Sequence, residues 1–434
     1  MARAKKPRLE ESIDSDDLSS DHGPEGVEEA PVLSAEEKRL LMAQEYMEKI
    51  GIKYEGDELE TVASALGVDR EKETRTRPLA SELVLGASTI WACRKHMPTC
   101  VEISYDDRTV FTGGKDGRIA RWDVESGRRL GFLGHNRDGQ KGDSHKSDGH
   151  KSDGHKGAVL AMTLAMGGKL LATAGKDCVI KLWDLASGAL IKDMTGHTEP
   201  VTGLCSAGDM VYSVSADKTM REWSLVHKTC MKTNYGHTES ATCIDCLNKT
   251  FVLSGSEDRT SRYWNTLKSK HAIYEEPDNV DTCAFLSKHG FLTGSSDGTV
   301  CLWSIARKKA VLRKSLSHVA NKGGPKPWCT AVAVCPNSDV AFTGSNTGSI
   351  SVWKVAMAEK GGILEPILDP LPAPGVVNAL RVSRSGAYLV GVSAAEPRLG
   401  RWFHSPKDAT VGVIMVKLQH SYISKLFDNV DSVL

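Results

Sequence analysis

Residues 155–197 read HKGAVLAMTLAMGGKLLATAGKDCVIKLWDLASGALIKDMTGH. One histidine opens the stretch and another closes it, behind a glycine. Between them stand VLAMTLAM, KLLATAG, VIKLWDL and ALIKDMTG, short apolar or alternating runs parted by polar turns, which predict four antiparallel strands. Asp177 lies six residues before Trp183. Look-alike segments occur on either side. KDGRIARW ends at Trp122, ADKTMREW at Trp223, EDRTSRYW at Trp264, SDGTVCLW at Trp303, NTGSISVW at Trp353 and EPRLGRW at Trp402.

Trp183, Trp223, Trp264 and Trp303 follow one another at intervals of 40, 41 and 39 residues. A period of roughly 40, with Gly-His upstream and Trp downstream, is the signature of WD repeats. Each repeat is one four-stranded blade, and closing a ring of them removes the exposed sheet edges that invite aggregation. Seven such segments predict an all-β, seven-bladed WD-repeat β-propeller over residues 79–434. A strand near 88–94 and another at 411–418 compete for the outer edge of the last blade.

Within a blade, a His, a Ser or Thr, an Asp and a Trp can join in one hydrogen-bonded chain. The full set is present as His155, Thr173, Asp177 and Trp183. It recurs as His197, Ser213, Asp217 and Trp223, and again as His237, Ser254, Asp258 and Trp264. A buried carboxylate is costly unless hydrogen-bonded, and the His ring and turn amides supply those bonds. The same residue types would serve a catalytic triad, but an active site is singular and this constellation repeats. The first blade keeps His96, Thr112, Asp116 and Trp122 without the preceding Gly. The fifth keeps Thr293, Asp297 and Trp303 without the His; the sixth has Thr347, and the seventh Glu396, where Asp is expected.

The formal net charge is zero, yet residues 1–78 hold 12 Lys+Arg against 20 Asp+Glu, leaving an equal positive excess on the remainder. An acidic leader on a basic body is compatible with an anionic partner. The 11 cysteines are scattered along strand-like segments, and the single CxxC, Cys243 and Cys246, lies in an apolar run. These read as core residues in a reducing compartment, with no metal site and no cofactor implied. No apolar run is long enough to span a membrane, and the N-terminus lacks the apolar core of a signal peptide. Lys5, Lys6 and Arg8 form a short basic cluster of the nuclear-import kind.

Residues 1–33 have the composition of a disordered acidic leader. Residues 34–78 read as a helical extension: Ser34 and Glu37 stand at capping-box spacing before Leu40, Ala43, Met47 and Ile50, and a second stretch covers 57–75. This extension either lies on the propeller or docks a partner. Insertions lengthen the connections after blades one and five. The first, with His145 and His150, reads as a flexible low-complexity loop over 136–156. The second ends at Trp328, which either stacks on an unpaired base or is buried where the sheet resumes. Both belong on the rim that carries the Asp turns.

From Gly298 to Ser338 there is no Asp or Glu, while Arg307, Lys308, Lys309, Arg313, Lys314, Lys322 and Lys326 fall within it. Cationic donors free of competing acids suit phosphate contact, and a solvated edge strand blunted by Lys and Arg is the alternative. Arg401 precedes Trp402, and Arg121 precedes Trp122, where regular repeats place Leu or Val. A half-buried cation there calls for an internal carboxylate or a ligand phosphate. The candidate RNA-binding residues are therefore this basic stretch and Arg401.

The run VVNALRVSRSGAYLVGVSAAEPRLGRWF resembles the last blade of the WD-repeat protein family of the U3 small nucleolar ribonucleoprotein. PWCTAVAV…AFTGSNTGSISVW resembles that family's sixth blade, KDGRIARWDVESGRRL its first, and LSAEEKRLLMAQEYMEKIG its leader helix. The resemblance implies a nucleolar, non-catalytic role, with the box B/C region of U3 RNA and a small kink-turn-binding protein as partners, in early processing of the small-subunit ribosomal RNA precursor. The residues themselves show no P-loop, HExxH or nucleophile elbow. The rival reading is a peptide-binding propeller, such as a chromatin or ubiquitin-ligase adaptor. Such an adaptor favours an acidic or aromatic face, which the acid-free stretch does not offer.

Overall fold

A computed structural model describes residues 79–93, 96–134, 154–316, 327–336, 338–358, 361–373, 375–400 and 409–419. The expected leader helices, the insertion at 136–152, and Lys322, Lys326, Arg401 and Trp402 lie outside these residues. The strands form seven sheets, the blades, whose innermost strands pack side by side in chain order, the last against the first. Blade 2 is typical: Val159–Ala165 innermost, then Leu170–Gly175, Val179–Asp184 and, outermost, Leu190–Thr195.

Burial follows position in the blade. Every residue of Val159–Ala165 is buried, whereas the outermost strand of blade 4, Lys270–Glu275, buries only Tyr274. Inner strands face neighbours on both sides and so need continuous apolar runs; outer strands meet water. Trp122, Trp183, Trp223, Trp264, Trp303 and Trp353 sit on third strands and pack against the preceding blade. Trp223 meets Ile180, Leu182 and Met194, Trp353 meets Leu302 and Leu316, and Trp122 meets Val390, Val392 and Val413. An indole buries roughly 150–250 Å², on the order of 4–6 kcal/mol of transfer free energy, so each adds substantially to the cohesion between two blades.

The seventh blade differs from expectation. Its third strand is Gly412–Gln419, between Tyr388–Ala394 and an outermost strand, Val84–Ala92, taken from the other end of the chain. The two terminal strands do not compete for one edge; they pair with each other. Leu389 faces Val416 as Val110 faces Trp122 in blade 1, so buried Val416 holds the Trp position. The matching Ser/Thr position is Gly391. EPRLGRW therefore belongs to the connection between Ala394 and Gly412 and ends no third strand. Its spacing imitates the repeat, but the strand resumes only after it.

A second regularity runs around the axis. The innermost strand of every blade has a β-bulge at one place, between Pro98/Cys100, Val159/Ala161, Val201/Gly203, Ala241/Cys243, Val280/Thr282, Cys329/Ala331 and Val377/Ala379. The bulged residues are Thr99, Leu160, Thr202, Thr242, Asp281, Thr330 and Asn378. The Thr202 hydroxyl donates to the Ala241 carbonyl at 2.5 Å and that of Thr330 to Val377 at 2.5 Å. Thr99 and Thr242 donate likewise to Val159 and Val280. Asn378 Nδ2 reaches the Pro98 carbonyl at 3.3 Å and joins the last blade to the first. Five bulges thus latch one blade to the next by a side-chain donor; Leu160 cannot, and Asp281 does so differently, as described below.

Replacing Thr242 by Val keeps the shape and removes the donor from the carbonyls of Val280 and Gly255. Stability should fall by about 1 kcal/mol, the usual net worth of a hydrogen bond. Denaturant unfolding of Thr242→Val beside wild type measures it, and an unchanged midpoint would mean that the latch contributes nothing.

Candidate functional site

Two of the connections in each blade, from the second strand to the third and from the outermost strand to the next blade, share one rim. The tetrads are built there. His197 Nδ1 lies 2.7 Å from the Asp217 carboxylate and its Nε2 2.7 Å from Ser213 Oγ, which accepts the Trp223 indole N–H at 2.8 Å. The chain repeats through His237, Asp258, Ser254 and Trp264, and through His155, Asp177, Thr173 and Trp183. His96, Asp116, Thr112 and Trp122 form a looser version, with Thr112 3.4 Å from the ring. The glycine before His leaves room: a Cβ at Gly196 would come within 2.7 Å of Arg221 Nη1, and at Gly236 within 2.7 Å of Arg262 Nη1.

In blade 5, Glu276 fills the missing histidine's place. Its Oε1 accepts from Thr293 Oγ1 at 2.6 Å, and Trp303 donates to the same hydroxyl at 3.0 Å. Burial pushes this carboxyl above its ordinary pKa. Glu276 precedes Val280 by four residues, as His237 precedes Ala241, so spacing alone identifies it once the strand start is known. In blade 6, Thr347 bonds Ser345 at 2.8 Å in place of the Asp turn.

The rim surrounds the mouth of the axial channel. One residue in each turn after a second strand donates its backbone N–H to the loop entering the blade. These are Lys115, Lys176, Ala216, Glu257, Ser296 and Asn346 in blades 1 to 6. The mouth is thereby polarised, with Lys115 and Lys176 on one side and Glu257 on the other. Residues 395–400, just after the second strand of blade 7, reach across it. Glu396 pairs with Lys115 at 2.7 Å, and Arg398 Nη2 donates to the Thr242 carbonyl of blade 4 at 3.0 Å.

Two adjoining cavities share Arg398 and Gly400. One of about 480 Å³ is lined by Lys115, Ala158, Lys176 and Glu396. The other, about 390 Å³, is lined by Glu257, Asn279, Asp281, Ser296 and Trp328, among others. Half-buried Trp328 donates its indole N–H to the Asp281 carboxylate at 2.6 Å, and its backbone N–H to Asn346 Oδ1 at 2.8 Å. Asp281 is thus the acidic counterpart of the threonine latch, with its donor on the residue that enters blade 6. Burial pushes its pKa up to about 6, against the opposing pull of Trp328, Ser296 and Arg398. At the other end of the channel a cavity of about 240 Å³ holds Glu102, Asp245 and Arg381, with Arg381 Nε 3.2 Å from Glu102.

The acid-free stretch does not make one patch. Arg307, Lys308 and Lys309 are exposed in the turn before the outermost strand of blade 5, on the rim opposite the Asp turns. Arg313 and Lys314 are exposed on that strand, Leu312–Ser315, and Arg313 lies close enough to Glu276 to oppose the rise in its pKa. Only the connection containing Lys322 and Lys326 leads back to the channel mouth. Arg121 forms no ion pair among the described residues, and its Nε is buried without a hydrogen-bond partner. Cys243 is buried and Cys246 half-buried, with its Sγ 3.2 Å from the Ser206 carbonyl. Sequence reasoning missed Lys115, Lys176 and Arg398, because their convergence depends on the ring and on the path of residues 395–400.

Matches to the WD domain, G-beta repeat family fall at residues 88–123, 147–184, 188–224, 228–265, 268–304 and 316–354. The chain belongs to this class of repeat propellers, and the matched segments take in only residues 88–92 of its seventh blade. Human U3 small nucleolar RNA-interacting protein 2 is 31% identical over 89% of this chain and 82% of its own length. The Arabidopsis thaliana U3 snoRNP-associated protein-like EMB2271 is 33% identical over 71% of this chain, which spans 66% of that plant protein, just under two thirds. The solved structure of U3-55K superimposes with a TM-score of 0.68 at 26% identity, covering 79% of this chain and all (100%) of that one. The protein is a member of the U3 snoRNP-associated WD-repeat family.

Burial acts to raise the Asp217 pKa, but the hydrogen bonds from His197 and Thr219 outweigh it and hold the carboxyl well below its ordinary 3.8. A carboxylate with a depressed folded-state pKa stabilises the fold above its unfolded value and loses that contribution as pH falls through the folded one. Asp217→Ala should therefore cost about 1–3 kcal/mol at neutral pH. Melting curves across pH should show the gap from wild type constant above pH 5 and narrowing below 3.8. Equal melting temperatures at neutral pH would show that the network does not stabilise the ring.

Proposed function

We propose that this chain is a non-catalytic RNA-binding and scaffold subunit of the U3 small nucleolar ribonucleoprotein. In this reading it resides in the nucleolus and acts within the small-subunit processome, in processing of the small-subunit ribosomal RNA precursor. Its partners are the box B/C region of U3 RNA, a small kink-turn-binding protein of the particle and other processome proteins. The observation that carries the reading is the likeness to the human U3 RNA-interacting protein, which extends over 89% of this chain. The local chemistry agrees with it. The tetrads are repeated structural devices, while the cations gathered at one side of the channel mouth suit a polyanion.

Domain roles follow. The propeller, 79–434, is assigned RNA and protein binding; segment 34–78 is assigned either to the propeller surface or to docking a partner. Lys322 and Lys326, in the connection between blades 5 and 6, are assigned to phosphate contact. Arg307, Lys308 and Lys309, on the far rim, are assigned no RNA contact in the same complex.

The test is binding of a U3 RNA transcript across a salt series. Lys322→Ala/Lys326→Ala should weaken binding and lower the magnitude of the salt slope by about 0.7–0.9 per lost phosphate contact. Lys308→Ala/Lys309→Ala should leave both unchanged. A wild-type chain that fails to prefer U3 RNA over an unrelated transcript would overturn the assignment. Deleting residues 136–152 should leave the melting temperature and RNA affinity unaltered, since that run is polar and repetitive. Loss of U3 association in this variant would give the loop a direct role.

A further inference from the structure

The mouth of the channel combines features that the repeat itself does not require. Its two cavities meet at Arg398 and Gly400; one holds Lys115 and Lys176 with Glu396, and the other is walled by the Trp328 indole and the carboxyl groups of Asp281 and Glu257. Trp328 is held by its edge, through the bond to Asp281, and by its backbone, through Asn346. An indole so fixed loses little entropy when something stacks on it. The Asp281 carboxyl lines the cavity beside this indole and offers acceptor oxygens to a ligand. Lys176 is exposed on the other side, and Lys115 is held by Glu396.

We propose that this mouth is a pocket for one unpaired nucleotide of RNA, with its base against Trp328 and Asp281 and its phosphate on Lys115, Lys176 and Arg398. In the free protein the Glu396 carboxylate occupies part of the phosphate position. The proposal rests on the reading of the chain as an RNA-binding protein and adds a site to it. The chemistry is specific to an unstacked nucleotide. A duplex phosphate would find the cations but have no use for the aromatic wall. The second carboxylate pocket, around Glu102 and Asp245, lacks this pairing of cations with a fixed indole.

Glu396 gives the sharpest test. Glu396→Gln removes the competing charge while keeping the shape, so a U3 RNA transcript should bind more tightly, by roughly three- to tenfold, with a steeper salt slope. A residue that only held the loop in place would give weaker binding or none. Lys115→Ala/Lys176→Ala should weaken binding and flatten the slope by about 0.7 per lost contact. Trp328→Ala should cost roughly five- to hundredfold with the slope retained, whereas Trp328→Phe, which keeps a stacking face, should recover most of it. Because Trp328→Ala also removes an inter-blade bond, the wild-type chain is photo-crosslinked in parallel to U3 RNA containing 4-thiouridine. Crosslinks should map to the peptides bearing Trp328 and Arg398. If wild type binds U3 RNA while the Glu396 and Lys variants match it and crosslinks lie elsewhere, the pocket is wrong and the RNA-binding role stands. If wild type does not bind U3 RNA, the broader reading fails first.

Discussion

The ring depends on one repeated irregularity, the bulge near the start of each innermost strand. A bulge turns an extra side chain out of the ladder and increases local twist. In five of the seven blades that side chain donates to a carbonyl at the start of the next blade's innermost strand and ties separate sheets into a ring. Threonine suits the position because its hydroxyl donates over a short reach and its β-branched body favours extended backbone. The Trp packing adds apolar cohesion at six of the seven blade junctions, but it is not directional. The latches set how each blade is aligned on the next.

This division of labour explains why degenerate blades are tolerated. Blade 7 has Val416 where others have Trp and Gly391 where they have Ser or Thr, so it has no tetrad at all. It still closes the ring, because Asn378 latches to Pro98 and the outermost strand is Val84–Ala92 from the start of the propeller. Pairing the two ends of the chain in one blade makes ring closure and sheet formation the same event. Opening the ring then requires breaking the ladder from Val84 to Gln419, which a blade built from one contiguous segment would not demand.

How far the sequence spoke for itself varied with the physics. His, Ser or Thr, Asp and Trp at fixed offsets encode a local hydrogen-bonded chain, and blades 1 to 4 follow it residue for residue. Glu276 was harder to see because the offset holds while the residue type changes, and a carboxyl is an unexpected substitute for imidazole until burial is known to raise its pKa. EPRLGRW misled because a Trp at the right distance is a pattern, whereas strand membership is a matter of pairing. The acid-free stretch is not one patch for a related reason. Among the described residues its charges are divided between a turn, Arg307 to Lys309, and the strand that carries Arg313 and Lys314, while Lys115, Lys176 and Arg398, far apart in sequence, are brought together. A one-dimensional reading recovers what is periodic and local; it loses what ring closure assembles.

The same contrast bears on where a ligand can be recognised. The tetrads recur, and each satisfies its own polar groups, so the repeat offers an incoming molecule little hydrogen-bonding capacity. Specific chemistry therefore has to come from departures from the repeat. Three converge on one end of the channel: Asp281 in place of a latch threonine, Trp328 ahead of the sixth blade, and residues 395–400 crossing from blade 7 to blade 4. Asp281 lies on an innermost strand, Trp328 in the loop that enters one, and residues 395–400 follow a second strand; none disturbs the Trp packing between blades. A propeller can accumulate such changes around its axis at small cost because the latches are individually weak and distributed. The chain keeps five side-chain latches and gives up the other two positions, and one of those two, Asp281, now faces the cavity at the mouth.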